Sequence, residues 1–168
     1  TSPERAFDIC ESPILVWAVA ESHNSRYVSR LPDFVTSPAA ITGPNVLSKV
    51  GLSLDDIDVF QLYDSFTIAV LVALEDLGFC KKGEAGNFIE DGKLRPNGSL
   101  PLNTGGGGLS NRHPGMLGIN LLLEGITQLR GEGKNRQIHE AKSVLIHGLG
   151  AVHMSGATAL LSQANWHP

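Results

Sequence analysis

The chain passes from strand to helix within Val59-Phe-Gln-Leu62, Tyr63-Asp64-Ser65 and Phe66–Leu77. The first four residues have the length and apolarity of a buried strand. From Phe66 onward, apolar residues recur every three or four positions, which is typical of an α-helix, and Gly78 stands where a C-cap glycine ends one. The opposite side is apolar too, so we expect this helix to be buried all round. A strand that leads directly into a buried helix predicts an α/β sheet.

Upstream of this junction, the sequence predicts one more strand and one more helix. The continuous apolar run Ile14–Ala20 is typical of a strand that is buried on both faces. Residues 37–50 have a helical pattern, and Gly51 is a suitable C-cap. Gly43-Pro44 lies inside this pattern and predicts a break or a restart of the helix.

Downstream, residues 81–102 are polar and rich in glycine, proline and asparagine, which predicts an excursion loop with room for a hairpin. A second strongly apolar helix is expected from about Gly115 to Arg130, buried on most sides. Ser143–His147 and Ala157–Leu161 then predict a pair of strands. The whole order indicates an α/β fold with a mixed β-sheet and buried helices, which need cover from a second domain or subunit.

Composition excludes several classes of protein. The 168 residues are 42% hydrophobic and 18% charged, as in a globular domain. The net charge of −4 comes without a basic stripe, which argues against nucleic-acid binding. No apolar run reaches the roughly 18 residues of a membrane span, so we expect a soluble, cytoplasmic protein. The two cysteines, Cys10 and Cys80, are far apart, which predicts neither a disulfide framework nor a zinc site.

Three segments carry groups that are able to perform chemistry. Tyr63-Asp64-Ser65 lies where a strand ends and a helix begins, which is where α/β sheets bind ligands, although Asp64 or Ser65 would equally suit a simple helix cap. His113 follows the glycine run Gly105–Gly108 and precedes Pro114 at a predicted helix start. A helix N-terminus disfavours the imidazolium form, so His113 suits a neutral general base, with a polar cap as the alternative.

The third segment contains two histidines after a predicted strand. His147 either reaches a site at the strand end or is a structural histidine in a tight loop, whereas His153 favours a structural role. A metal site built on this pair lacks further ligands nearby in the sequence, so we expect no metal.

These segments, in this order, resemble the C-terminal half of the thiolase superfamily, above all its sterol-carrier-protein and lipid-transfer-protein branch. Asp55–Phe66 resembles the segment with the Asn-Glu-Ala-Phe or His-Asp-Cys-Phe motif. Asn111–Pro114 resembles the Gly-His-Pro motif, and His147–Gly150 resembles the His-Asn-Leu-Gly variant of the last active-site loop. The resemblance implies a thiolase-like C-terminal domain over residues 1–168 that packs on a missing N-terminal half.

In that family a cysteine of the N-terminal half is acylated by an acyl-CoA, and the Gly-His-Pro histidine activates it. The resemblance therefore implies His113, Tyr63 and His147 as catalytic residues, coenzyme A as a substrate and no covalently bound cofactor. Neither Cys10 nor Cys80 matches the nucleophile, so this chain should be inactive without the N-terminal half. The resemblance also implies a homodimer and a partner protein that combines a zinc ribbon with an OB-fold.

The departure from the family pattern at Tyr63-Asp64-Ser65-Phe66 leaves three functions open. A thiolase-type acyltransferase acting on 3-oxoacyl-CoA in lipid or sterol side-chain metabolism is preferred, because His113 is retained. A phenol is a poor base but a good hydrogen-bond donor, and the pattern resembles thiolase-like aldolases that cleave a β-hydroxyacyl-CoA with tyrosines. The third hypothesis is a non-catalytic subunit that binds acyl-CoA.

Overall fold

Four strands form one mixed sheet in the computed structural model, which describes residues 1–90, 92–111, 115–151 and 153–167. The spatial order is β1-β4-β3-β2, with the strands spanning Ile14–His23 (β1), Val59–Leu62 (β2), Ser143–Gly150 (β3) and Ser155–Gln163 (β4). β4 is antiparallel to both of its neighbours, whereas β2 is parallel to β3. The predicted α/β fold with a mixed sheet is confirmed, and each predicted strand lies within an observed one.

Helices cover both faces of the sheet. Among the described residues they span Pro3–Ile9 (α1), Ala39–Val50 (α2), Thr67–Leu77 (α3), Ala85–Ile89 (α4), Gly107–Ser110 (α5) and Leu117–Leu129 (α6), with short 3-10 turns at Val28–Arg30, Leu54–Asp56 and Lys134–Arg136. No helix in this part of the chain is long and apolar enough to cross a membrane.

The alternation of β3 divides the core into two apolar clusters. Leu145 points to the face that packs against α2 and α3. Val144 and Ile146 point to the other face, where α6 lies. Successive side chains of a strand point to opposite faces of the sheet, so the face that one residue occupies determines the face of the next. The same alternation determines which side chains at the ends of the strands can meet.

The predicted burial of β1 on both faces is wrong. β1 lies at the edge of the sheet and contacts α2 on one side, while Val16 and Val19 are 62% and 51% exposed. An uninterrupted apolar run gives no sign of whether its strand lies at the centre or at the edge of a sheet.

The predicted break in α2 is also wrong, because the helix runs unbroken through Gly43 and Pro44. A Cβ atom at Gly43 would collide with the side chain of Leu77 on α3, so the glycine permits close helix packing. The helix ends at Gly51 in the left-handed conformation, as predicted. Tertiary packing against α3 thus maintains a helix that local preferences disfavour.

Burial of the two apolar helices on nearly every side is not found within this chain. Ile68 on α3 is 57% exposed, and Ile119 and Leu123 on α6 are 49% and 55% exposed. Each helix covers the sheet with one face and presents apolar residues on the other, so cover by an N-terminal half stays a prediction. Residues 81–90 and 92–102 contain α4 and turns and form no hairpin.

Candidate functional site

The carboxyl ends of the parallel strands β2 and β3 meet at one edge of the sheet. The backbone N–H of Tyr63 donates a hydrogen bond to the carbonyl oxygen of His147 (2.9 Å), which continues the pairing by one residue. Tyr63 is half-buried against the apolar cluster beneath α6 and lines a cavity of about 490 Å³. We call this the Tyr63 cavity.

The first turn of α6 forms one wall of the Tyr63 cavity, through Met116, Leu117 and Gly118. The N-cap residue, Met116, provides no side-chain hydrogen bond to the first turn. The N-terminus of a 13-residue helix carries a partial positive charge, which stabilises a negative oxygen placed beside it. The cavity therefore combines a phenol with a helix end of the polarity that an oxyanion requires.

Two polar residues of β1 complete the opposite wall, and sequence reasoning missed both. Glu21 and His23 alternate along β1 and line the Tyr63 cavity together with Ser155. His23 Nδ1 is 2.8 Å from Ser155 Oγ, and the two residues are paired in the register of β1 with β4. The alternation of Glu21 and His23 is visible in the sequence, but the contact between His23 and Ser155 depends on the register of β1 with β4.

His147 lies within β3, and its ring is held on the opposite face from the Tyr63 cavity. Nδ1 of His147 is 2.8 Å from Thr158 Oγ1, which is in turn 2.7 Å from Thr42 Oγ1 on α2. The Thr42 hydroxyl also lies 3.1 Å from the carbonyl oxygen of Pro38, which can only accept. This chain of hydrogen bonds holds the His147 ring against α2.

Burial keeps the His147 ring neutral. The residue is 1% exposed, and its Nε2 atom is buried with no hydrogen-bond partner among the described residues. Burial lowers the pKa of His147 to about 4, against an opposing influence of Asp76 and in concert with His153. Burial also lowers the pKa of His153. The structure therefore does not bring the His147 ring into the Tyr63 cavity, and its catalytic role stays a prediction.

Asp64 does not cap the helix that follows it. The N-cap of α3 is Phe66, which makes no capping hydrogen bond. The Asp64 carboxylate instead accepts the backbone N–H groups of Gly108 (2.7 Å) and Leu109 (3.2 Å), at the start of α5. Asp64 is 3% exposed, so this contact is an interior one. The alternative prediction that Asp64 caps the following helix is therefore wrong.

The preferred catalytic candidate, His113, lies outside the described residues, together with Arg112 and Pro114. The residues on either side are described. Asn111 closes the preceding glycine-rich loop with its side chain, and Gly115 lines the Tyr63 cavity. The role of His113 therefore stays a prediction.

A second cavity, of about 900 Å³, opens on the other flank of α6. A polar network lines it, in which Gln61 donates to Thr104 (3.0 Å) and Thr104 donates to Glu124 (2.7 Å). Arg136 forms an ion pair with Glu124 (2.9 Å). Burial by itself would raise the pKa of Glu124, but the hydrogen bonds from Arg136, Gln128 and Thr104 outweigh it and lower that pKa. The sequence analysis did not identify this network, whose members are far apart along the chain.

Residues 20–163 match a known family, the thiolase C-terminal domain-like family. The chain belongs to this family. Its membership confirms the predicted resemblance to the thiolase superfamily. The assignment of all 168 residues to one domain is a prediction that extends beyond the matched range.

Two curated relatives and one solved structure illustrate the similarity. The acetyl-CoA acetyltransferase of Methanothermobacter thermautotrophicus is 32% identical over 167 residues, which is 95% of this chain and 42% of the relative. The steroid side-chain-cleaving aldolase of Thermomonospora curvata is 34% identical over 165 residues, 92% of this chain and 40% of the relative. The solved Ltp2-ChsH2(DUF35) aldolase superposes with a TM-score of 0.83 at 32% identity, over 98% of this chain and 43% of that one.

The chain thus spans less than half the length of the proteins that it matches. The proteins named above include an acetyltransferase and aldolases.

Proposed function

We propose that the chain is the C-terminal half of a thiolase-fold lyase that cleaves a β-hydroxyacyl-CoA by a retro-aldol reaction. The observation that carries the proposal is the position of Tyr63, which lines a cavity at the N-terminus of α6, while the ring of His147 faces the other side of the sheet. A phenol and a helix N-terminus suit the polarisation of a thioester carbonyl, whereas α-proton removal needs a base.

The proposed reaction requires no acyl-cysteine. A base removes the proton of the substrate's β-hydroxyl group, and the bond between Cα and Cβ breaks. Its electron pair moves to Cα and the thioester carbonyl, which gives an enolate, while Cβ becomes the carbonyl carbon of an aldehyde or ketone. Tyr63 donates a hydrogen bond to the enolate oxygen, and protonation at Cα releases the shortened acyl-CoA. His113 is the residue that we propose as the base, because Gly115, two positions further along the chain, lines the same cavity.

Replacing Tyr63 by phenylalanine is the direct test of this function. The variant is expected to lose about 100-fold in kcat/KM for cleavage of a β-hydroxyacyl-CoA, since one donor to the developing oxyanion is removed. The measurement is the appearance of the shortened acyl-CoA, made with the full-length protein including its N-terminal half. Tyr27→Phe is the matched control, because Tyr27, the other tyrosine of the chain, is 51% exposed and is not among the residues that line the Tyr63 cavity. Unchanged cleavage by the Tyr63→Phe protein would contradict the proposal.

A thiolase-type acyltransferase acting on 3-oxoacyl-CoA is the second candidate. The Asn-Arg-His-Pro sequence at 111–114 and the similarity to an acetyltransferase over 95% of the chain favour it. This reaction requires a nucleophilic cysteine in the N-terminal half. Thiolysis of a 3-oxoacyl-CoA by the full-length protein, with no cleavage of the β-hydroxyacyl-CoA, would select the acyltransferase. If the protein turns over neither substrate, the third hypothesis, a non-catalytic subunit that binds acyl-CoA, is favoured.

A protein partner is part of the proposal. The solved aldolase that this chain resembles is named together with a DUF35 component. We therefore propose that the full-length protein assembles with a partner protein; that this partner combines a zinc ribbon with an OB-fold, as the family resemblance implies, stays a prediction.

A further inference from the structure

We propose that Asp64 is a positioning residue for the lyase reaction: its buried carboxylate holds the glycine-rich segment 105–111 in one conformation beside Tyr63. This inference rests on the proposed function. It concerns the residue that follows Tyr63 and the segment that leads into Asn111-Arg-His-Pro, so one carboxylate connects the two parts of the candidate site. Asp64 itself touches neither substrate nor reacting atoms in this role.

The contact is built into the backbone of the loop. Asp64 bonds the N–H groups of two consecutive residues, Gly108 and Leu109, which lie 44 and 45 positions away in the sequence. A Cβ atom at Gly107 would collide with the carboxylate, lying 2.7 Å from its Cγ, and one at Gly108 would lie 3.2 Å from Oδ1. Glycine at 107 is therefore needed for the carboxylate to approach this closely, whereas a Cβ at Gly108 would collide first with the side chain of Leu117.

The hydrogen bonds to Asp64 also restrict the backbone torsion angles of the glycine-rich segment 105–111. Four consecutive glycines have more conformational freedom to lose than any other residues. Within the segment, Gly106 and Gly107 adopt φ values of 89° and 58°. From the outer side, the Asn111 side chain donates to the carbonyl oxygens of Gly105 (3.0 Å) and Gly107 (2.8 Å). Asp64 inside and Asn111 outside thus hold the loop from both sides.

Asp64 lies two residues before Phe66, the N-cap of α3, and among the described residues it makes no bond to that helix. Asp64 instead fixes α5, which has only four residues. The next described residue after the loop, Gly115, lines the Tyr63 cavity, and α5 residues line the larger cavity. The segment that Asp64 holds therefore lies next to both cavities.

The test compares two aspartates that flank the same strand. Asp58 precedes β2 and also accepts two backbone N–H groups, from Lys142 (2.8 Å) and Ser143 (2.9 Å), but its side chain is exposed whereas Asp64 is buried. Asp64→Asn and Asp58→Asn are made in the full-length protein, and each replaces a carboxylate by an amide of the same size. A merely structural role predicts a lower free energy of unfolding for Asp64→Asn, with kcat of the folded protein unchanged in both variants.

We expect kcat for β-hydroxyacyl-CoA cleavage to fall about tenfold or more in Asp64→Asn, with KM changed less than about threefold, and to stay within about twofold in Asp58→Asn. Amide hydrogen exchange of residues 105–111 should accelerate about tenfold in Asp64→Asn and be unchanged in Asp58→Asn. Equal kcat values for the two variants, or unchanged exchange in Asp64→Asn, would overturn the proposal.

Two further measurements separate the possible failures. If Asp64→Asn does not fold, Asn111→Ala loosens the same loop from its exposed side, and the same fall in kcat with faster exchange is expected; normal kcat in that variant would overturn the proposal. If the wild-type protein cleaves no β-hydroxyacyl-CoA, the proposed lyase function is wrong, and Asp64 does not serve that reaction. The amide hydrogen exchange of residues 105–111 in the two variants still decides whether Asp64 holds the loop.

Discussion

Gly107→Ala is expected to lower the free energy of unfolding by about 3 kcal/mol. An alanine at φ 58° costs about 1 kcal/mol by itself, because its Cβ approaches the following carbonyl oxygen. The new methyl group also occupies the place of the Asp64 carboxylate and pushes it away from two backbone N–H groups. Loss of hydrogen bonds to a charged, buried group adds about 2 kcal/mol. Urea unfolding of the wild type and the variant measures the sum.

The matched control is Gly131→Ala. Gly131 follows α6 with a φ of 70°, and a Cβ there would meet no atom within 4 Å. This variant should show only the backbone effect of about 1 kcal/mol. In an Asp64→Ala background, Gly107→Ala should likewise cost only about 1 kcal/mol, since the colliding carboxylate is gone. Equal costs of Gly107→Ala in both backgrounds would show that the collision with Asp64 does not occur.

His147→Asn is expected to remove a large part of the acid sensitivity of the fold. The folded pKa of His147 is about 4, below its ordinary value of 6.5, so protons bind more tightly to the unfolded chain. The stability that depends on neutral His147 is therefore complete above pH 6.5, is lost as the pH falls towards 4, and changes no further below that. The difference in pKa corresponds to a loss of about 3 kcal/mol across this window.

The asparagine variant keeps a polar atom within reach of Thr158, because its amide can donate or accept at the place of Nδ1, and it carries no titrating group. The measurement is the free energy of unfolding from pH 7.5 to 3.5, expressed as the difference between wild type and variant. That difference should change by about 3 kcal/mol between pH 6.5 and 4, with the wild type losing more. His139→Gln serves as the control, since the His139 side chain is 92% exposed. A pH-independent difference would contradict the burial of a neutral ring.

Much of the fold was predictable because it is encoded locally. The strand at Val59–Leu62 and the helix that ends at Gly78 follow from short-range periodicity and from a glycine that adopts the left-handed conformation. The errors concern burial and continuity. The exposure of Val16 on an edge strand and the unbroken α2 at Gly43 depend on which element packs beside them, which no local pattern contains.

The candidate site was predictable as a set of residue types and only partly as an arrangement. Tyr63 was predicted from its place at a strand end, and it lines a cavity beside a helix N-terminus. His23 and Ser155 at the same cavity were missed, because their contact arises from the register of β1 with β4. His113 stays a prediction outside the described residues.

Local sequence patterns and the resemblance to thiolases were sufficient to predict a mixed α/β domain with Tyr63 where a strand meets a helix. How the groups near that junction are distributed depends on contacts between distant parts of the chain. Leu62 is the register partner of His147 in β3, so their side chains leave the same face of the sheet and Tyr63 leaves the other. Likewise, Asp64 bonds to residues 44 and 45 positions away. Periodicity along the chain fixes each element, whereas pairing between distant elements fixes which side chains meet.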